Sequence, residues 1–419
     1  MLPVLVFLFL LGALVGGQVN RAIYALARDP KPIGPWSSPD EAAAARRSTD
    51  YLPIFGWFGL RRESPVHGGG FWIRPLLIEL ALAAGYPALF WLEANGRLLP
   101  LPFYGDDTLP LTFFVAQFTC HATLITFMVA ATFIDFDGKT IPDEITVPGT
   151  LLALVIATCA PFMRLPIVVP ADGFTEAPMR TAGDMTLRFM DMSSPRMFAA
   201  DYDGVRGLTW GLLLMLGWCV ALIDIRWTFR YGVKKAFIYA FAGMLRRPLN
   251  KIVALIAVFG VMGVTTAWLI GGENWRGLYT SLVGMAVGGG IVWAIRIVGT
   301  HALHTEAMGF GDVTLMAMIG AFLGWQAAAL AFFIAPFTSV VIALSQFILT
   351  RRKELAFGPY LCFAALIVIL AWRVIWPEWA YDFFRLGWAL PAGFSALLML
   401  MFVMLMAWRF FKENVLGLE

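Results

Sequence analysis

Long apolar runs, broken by short polar segments, set the rhythm of this chain. A hydrocarbon layer of about 30 Å needs about 20 predominantly apolar residues to cross it as a helix. Runs of that kind fall at residues 2–17, 76–93, 111–134, 145–161, 207–225, 252–270, 278–298, 313–324, 327–349, 358–375 and 387–409. The pattern predicts about eleven helical spans, with that at 313–324 short and running into a turn. Backbone that faces lipid must satisfy its own hydrogen bonds, so the fold class expected is all-α, a polytopic transmembrane helical bundle.

Composition agrees. Hydrophobic residues make up 59% of the 419 positions and charged ones 14%, with a mean hydropathy of +0.74, which excludes an ordinary soluble domain. The net charge of +3 matters less than where Lys and Arg sit. With the N-terminus outside, segments 17–75, 135–144, 226–251, 296–313, 350–357 and 409–419 face the cytoplasm and hold 22 of the 31 basic residues. Arg226, Arg230, Lys234, Lys235, Arg246, Arg247 and Lys251, with Arg351, Arg352 and Lys353, carry that bias. The segment Met1–Val15 is similar to a signal-peptide core, but it lacks a preceding positive charge and a small-x-small site, so a retained first helix is expected. No basic, aromatic-interleaved patch suggests nucleic-acid binding.

Five regions follow. Residues 1–75 hold the first helix and a cytoplasmic loop domain, with a short helix expected at Ala42–Arg47 and a tether at Gly68–Gly70. Residues 76–160 form the next helices, and 161–270 an inserted external loop, expected to be irregular over 161–206, with two extra helices. Residues 271–386 carry further spans, and 387–419 an additional one. Cys120, Cys159, Cys219 and Cys362 all lie in apolar runs and form no CxxC pair, so neither a zinc site nor a disulfide framework is indicated.

The chemistry concentrates where two apolar runs end in acid. The first place is Phe133-Ile134-Asp135-Phe136-Asp137-Gly138-Lys139-Thr140-Ile141-Pro142-Asp143. Asp143 and Glu144 open the following helix, where the dipole favours an anion and supplies a structural explanation. Asp137, beside Gly138, reads as a turn residue. Asp135 ends a helix, where the dipole disfavours it, and so is the stronger functional candidate. The second place is Glu306-Ala307-Met308-Gly309-Phe310-Gly311-Asp312, whose aspartate could be a helix cap or a catalytic group, and whose glycines permit another backbone to approach. The charge bias puts Asp135 and Asp312 on one membrane face. Two carboxylates close together in a partly dry site can serve as general base and general acid toward a water attacking an amide.

These residues resemble the type IV prepilin peptidases, membrane aspartyl proteases of the GxGD type. Residues 133–143 match the family's first aspartate motif, and Glu306–Leu315 with Ile319–Gly324 its second. Phe357-Gly358-Pro359-Tyr360 is similar to a late FGPY element, Gly16–Tyr24 to an N-terminal stretch, and Arg74–Glu79 to the entry of the second span. The resemblance implies Asp135 and Asp312 as the catalytic pair, with Asp143, Asp137, Glu306, Gly309 and Gly311 as supporting or substrate-binding residues. It also implies a multi-pass protein of the bacterial inner membrane that removes short basic leaders from pilin or pseudopilin precursors, in type IV pilus and type II secretion systems, on the cytoplasmic side. An acidic rim would attract such leaders.

The departures are specific. The family's loop often carries two CxxC pairs that bind zinc, in the region associated with N-methylation. Residues 36–73 contain no cysteine, which speaks against zinc and against S-adenosylmethionine-dependent methyl transfer. Thr314 stands where lysine is usual, and the spacing between the two motifs is long. Two other readings stay open. One is a transporter or channel with Asp135 and Asp312 as a cation or proton site, for which Gln117 and His121 lie deeper but read better as interhelical hydrogen-bonding residues. The other is a presenilin-like intramembrane protease, against which Phe357–Tyr360 argues.

Overall fold

The computed structural model describes all residues except 31–32, 40–42, 44, 107, 172–178, 224–237, 239–246, 351–355 and 415–419, and the backbone alone for 341–350. Most of the basic groups behind the orientation argument, from Arg226 to Arg246 and Arg351 to Lys353, lie outside the described residues.

The apolar runs are helices. They are α1 (Leu2–Leu26), α2 (Ile73–Ala94), α3 (Leu111–Gly138), α4 (Asp143–Cys159), α5 (Val205–Leu222), α6 (Pro248–Ile270), α7 (Gly272–Leu303), α8 (Phe310–Leu323), α9 (Trp325–Thr350), α10 (Gly358–Ile375) and α11 (Ala389–Asn414). Among the described residues, eight are long and apolar enough to cross a membrane; α4, α8 and the described part of α9 are shorter or less apolar. The chain is a polytopic helical membrane protein.

At the centre lies α8, apolar on every side, with each residue from Val313 to Leu323 buried. A helix without a polar face is stable only when neighbours surround it. Here α7, α4, α9, α10 and α3 do so. The α7–α8 crossing is close because Gly284 and Gly320 face one another, and a Cβ on either would collide with the other's carbonyl. Small residues at such a crossing give van der Waals contact, which is what drives helix association where lipid is as apolar as the side chains.

Two expectations change. The segment after α4 is not irregular: it contains β1 (Pro166–Pro170), β2 (Arg180–Ala182) and β3 (Met185–Phe189) in an antiparallel sheet of order β1–β3–β2. Leu187 and Val168 sit opposite in the β1–β3 ladder and bury against Phe113 and Phe114 of α3. The helix expected at 42–47 is also not formed, since Ala43 and Ala45–Arg47 are non-helical. A helix that short does not recover its nucleation cost without packing. The loop is organised instead around Asp50, which is fully buried, takes the backbone amide of Arg47 at 2.7 Å, and pairs with Arg62. Glu79 of α2 ties this loop down by accepting from Trp57 Nε1 at 2.7 Å and Asn20 Nδ2 at 3.1 Å.

Candidate active site

Asp135 lies in the last turn of α3, three residues further inside the helix than the apolar run suggests. The helix ends at Lys139, which adopts a left-handed conformation (φ 52°) and donates its amide to the Asp135 carbonyl at 2.9 Å. Pro142 is the N-cap of α4, so the chain reverses within a few residues and brings Asp143 and Glu144 into the first turn of α4. The Asp135 side chain is 5% exposed.

Asp312 occupies the first turn of α8, after Gly309 as N-cap. The two motifs meet through backbone. A Cβ on Gly311 would sit 2.8 Å from the Ile141 carbonyl oxygen and 2.9 Å from its Cβ, so only glycine lets the start of α8 rest against the α3–α4 turn. The start of α8, which carries Asp312, is thereby seated on the turn that follows Asp135. The start of α10 closes a third side. Gly358 donates its amide to Asp135 Oδ2 at 3.1 Å, and a Cβ there would lie 2.7 Å from the same oxygen. Both glycines are therefore fixed by close approach, not by turn geometry.

Asp143 sits beside this pair, its carboxylate against the hydroxyl of Thr314. Thr146 donates to Thr314 at 3.0 Å, and Thr314 donates to the Gly311 carbonyl at 3.1 Å, so a buried hydroxyl relay joins α4 to the Asp312 turn. This link was not foreseen; the only cue was a threonine three residues after Asp143 and another two after Asp312. The amide of Gly358 was likewise missed as a partner of Asp135.

The remaining acidic candidates do not converge on the pair. Asp137 belongs to the last turn of α3 rather than to a turn, and takes a two-pronged ion pair from Arg74 of α2 at 2.7 and 2.8 Å. The Arg74 guanidinium also lies over the rings of Tyr24 and Phe133, at 5.6 and 5.8 Å from their centroids. Glu306 pairs with Arg296 at 2.7 Å, while Arg296 donates to the Met308 carbonyl at 2.9 Å, fastening the segment that leads into Gly309. Gly309 is exposed, and a Cβ there would meet only Asp312 Oδ2, at 3.7 Å. Of the two deeper polar residues, His121 makes an interhelical pair with Glu93 of α2 at 2.7 Å, whereas Gln117 donates to the Arg164 carbonyl at 2.7 Å, in the segment after α4, and so ties a loop rather than a helix.

Residues 208–344 match the Type IV leader peptidase family. The matched stretch includes Glu306, Gly309, Gly311 and Asp312 and begins downstream of Asp135, Asp137 and Asp143. Among curated proteins, it is similar to the prepilin leader peptidase/N-methyltransferase of Escherichia coli K12, 32% identical over 99 residues, covering 23% of this chain and 44% of that protein. The protein of the same name from Pectobacterium carotovorum is 36% identical over 95 residues (21% of this chain, 34% of the relative), and that of Dickeya chrysanthemi 42% over 74 (17% and 25%). The chain thus spans less than half the length of the curated relatives it matches. No solved structure matches it.

Proposed function

We propose that this chain is a membrane aspartic endopeptidase that removes the short basic leader of type IV pilin-like or pseudopilin precursors. The observation that carries the reading is that the Gly311–Ile141 contact seats the start of α8, which bears Asp312, on the turn that follows Asp135, from a distant part of the sequence. The names of the relatives supply the substrate class.

In this mechanism one carboxylate takes a proton from a water held between the pair as its oxygen attacks the scissile carbonyl carbon. The other carboxyl donates its proton to the carbonyl oxygen. Collapse of the tetrahedral species breaks the C–N bond, and the departing amine takes up a proton from the acid–base pair. The exposed Asp143 and Glu144 beside the pair leave negative charge where a Lys- or Arg-bearing leader would approach. Asp137 and Glu306 hold the surrounding elements through Arg74 and Arg296. The site faces the cytoplasm and the protein resides in the bacterial inner membrane. The placement of Lys and Arg supports that orientation.

Methyl transfer is not part of the proposed activity, and neither zinc nor S-adenosylmethionine is a proposed cofactor. The loop 48–67 is cysteine-free and is held by Asp50–Arg62 and by Glu63 with Arg46 at 3.1 Å. Co-expression of a pilin-like precursor with the wild type, Asp135→Asn and Asp312→Asn, followed by gels for leader removal, tests the reading. Cleavage is expected from the wild type alone. Unimpaired cleavage by either variant would remove the pair from the mechanism, and no cleavage by the wild type alongside proton-coupled uptake in vesicles would replace the activity itself. The mass of the product's N-terminus separately reports methylation, which is expected to be absent.

A further inference from the structure

The loop between α1 and α2 holds a short helix, Phe55–Leu60, that is apolar on two faces and covered on one. Trp57 and Leu60 bury against Tyr24 of α1 and Leu76 of α2. Phe55 and Phe58, on the other face, are 71% and 54% exposed, and Tyr51 and Leu52 are exposed just ahead of them. Single exposed apolar side chains are ordinary, but four large ones over residues 51–58 mark a surface that meets something.

The helix cannot turn to hide that face. Trp57 Nε1 donates to the buried Glu79 at 2.7 Å, and the Ile54 amide donates to the same carboxylate. A Cβ on Gly56 would strike the Asp50 carbonyl, so the backbone rests directly on the loop beside it. Six residues do not hold a helix by themselves. These contacts hold it, and they keep Phe55 and Phe58 on the outer side.

What covers the face follows from its neighbour. Trp72 is the N-cap of α2, which is long and apolar enough to cross a membrane. The Phe58 ring lies 5.8 Å from that of Trp72, centroid to centroid. Directly beyond, Ile73, Leu77 and Leu80 are exposed at a spacing that puts them on one side of α2, a stripe that meets lipid in a spanning helix. The uncovered face of the loop is therefore continuous with a lipid-facing surface. It also begins where the span begins, the level at which aromatic rings sit in membrane proteins. The exposed Arg61 guanidinium lies 5.7 Å over the Trp72 ring, which adds the basic group that interfacial elements present to headgroups. Arg74, one turn-start further on, bonds Asp137 at 2.7 Å, so this is the side of the bundle that carries the aspartates. We propose that Phe55 and Phe58 dip into the leaflet on the aspartate side and that the loop rests on the bilayer through them.

The full chain is reconstituted in nanodiscs of phosphatidylcholine and phosphatidylglycerol. The exposed Cys159 is first replaced by Cys159→Ser; Cys120, Cys219 and Cys362 are buried. A nitroxide is then attached through Phe55→Cys or Phe58→Cys, with Leu77→Cys as the lipid-facing reference and Ser38→Cys as an exposed polar one. Relaxation by oxygen, which concentrates in lipid, is compared with relaxation by a water-soluble nickel chelate. Labels at Phe55 and Phe58 are expected to follow Leu77, with oxygen the more effective. The Phe55 label decides the matter where a label at Phe58 disturbs the contact with Trp72. In the same nanodiscs, Phe55→Ser with Phe58→Ser should speed tryptic cleavage after Arg61 about tenfold, the effect of losing the insertion of one Phe side chain. A Phe55 label more accessible to the chelate, as at Ser38, would overturn the proposal and leave the face to a protein partner. Unchanged cleavage in the double Ser variant would overturn it equally.

Discussion

The two ends of the bundle are held together by different means. At the far end, side-chain donors lash the sheet and its flanking loops to the helices. Trp372 donates to the Pro166 carbonyl at 2.8 Å, Trp376 to Val168 at 3.0 Å, Trp325 to Met192 at 2.7 Å and Gln326 to Asp191 at 2.7 Å. At the aspartate end the elements meet through glycine, Gly311 against Ile141 and Gly358 against Asp135. Many directional bonds fix one end; the other is set by close backbone contact. The difference suits a molecule whose proposed reacting groups must be positioned closely by the fold.

If the aspartate end depends on close approach, adding one methyl group there is the most damaging small change. Gly358→Ala would place a Cβ 2.7 Å from Asp135 Oδ2, and Gly311→Ala one 2.8 Å from the Ile141 carbonyl. Displacing a reacting group by about 1 Å can cost about a hundredfold in rate. Each variant is expected to cleave a pilin-like precursor about a hundredfold more slowly at an unchanged amount in the membrane. Wild-type rates in both would show that the contact is not what positions the pair.

The far end should respond in the reverse manner. Trp372 is 1% exposed and Trp372→Phe keeps most of its volume while removing the donor to Pro166. A buried carbonyl left without its partner costs about 1–3 kcal/mol. The thermal midpoint should fall, while leader cleavage per folded molecule stays within about twofold. A loss of activity without a loss of stability would mean that the two ends are coupled more closely than their construction indicates.

How much of this was legible depended on the length of the signal. Each apolar run became a helix because about twenty residues leave little alternative within lipid. The ends were less readable: α3 runs past Asp135, where the apolar run stops, to Gly138, and Asp137 pairs with Arg74 in that last turn instead of forming a turn of its own. The sheet was missed because its strands have three to five residues, and Pro166–Pro170 reads equally as part of an apolar loop. Asp135 and Asp312 were identifiable by motif, yet no periodicity could bring them together. That required Gly311, whose missing side chain matters only once Ile141 is seen beside it. The acids were likewise sorted by partners: Asp137 and Glu306 proved to be fastened to arginines.

The loop beside the aspartate end offers a sharper contrast, since it is held by charge rather than by glycine contact alone. The Arg62 guanidinium, helped by the Arg47 amide, holds the Asp50 carboxyl below its ordinary value of 3.8. A depressed carboxyl contributes stability that is present above that ordinary value and is lost as pH falls through the folded-state value. Resistance of the loop to limited proteolysis should therefore be constant from neutral pH down to about 4 and then fall. In Asp50→Asn that acid step should disappear and the loop should be cut more readily at every pH. A wild-type loop whose resistance changes between pH 6 and 8 instead would assign the control to another group.

The smallest effect is expected at Asp137, although its bond to Arg74 is the most regular ion pair near the site. Its two prongs measure 2.7 and 2.8 Å, but the Arg74 side chain is 36% exposed and Asp137 21%. Water screens such a pair, and exposed ion pairs contribute about 0–1 kcal/mol. The Arg74 guanidinium would also keep its contacts with Tyr24 and Phe133 once the carboxylate is gone. Asp137→Asn should consequently cleave within about threefold of the wild type and shift the thermal midpoint by only a degree or two. A collapse of activity comparable to that of Asp135→Asn would move Asp137 from fastening α2 to α3 into the reaction itself. It would then have to reach the substrate by leaving Arg74, which loss of activity in Arg74→Ala would not mimic.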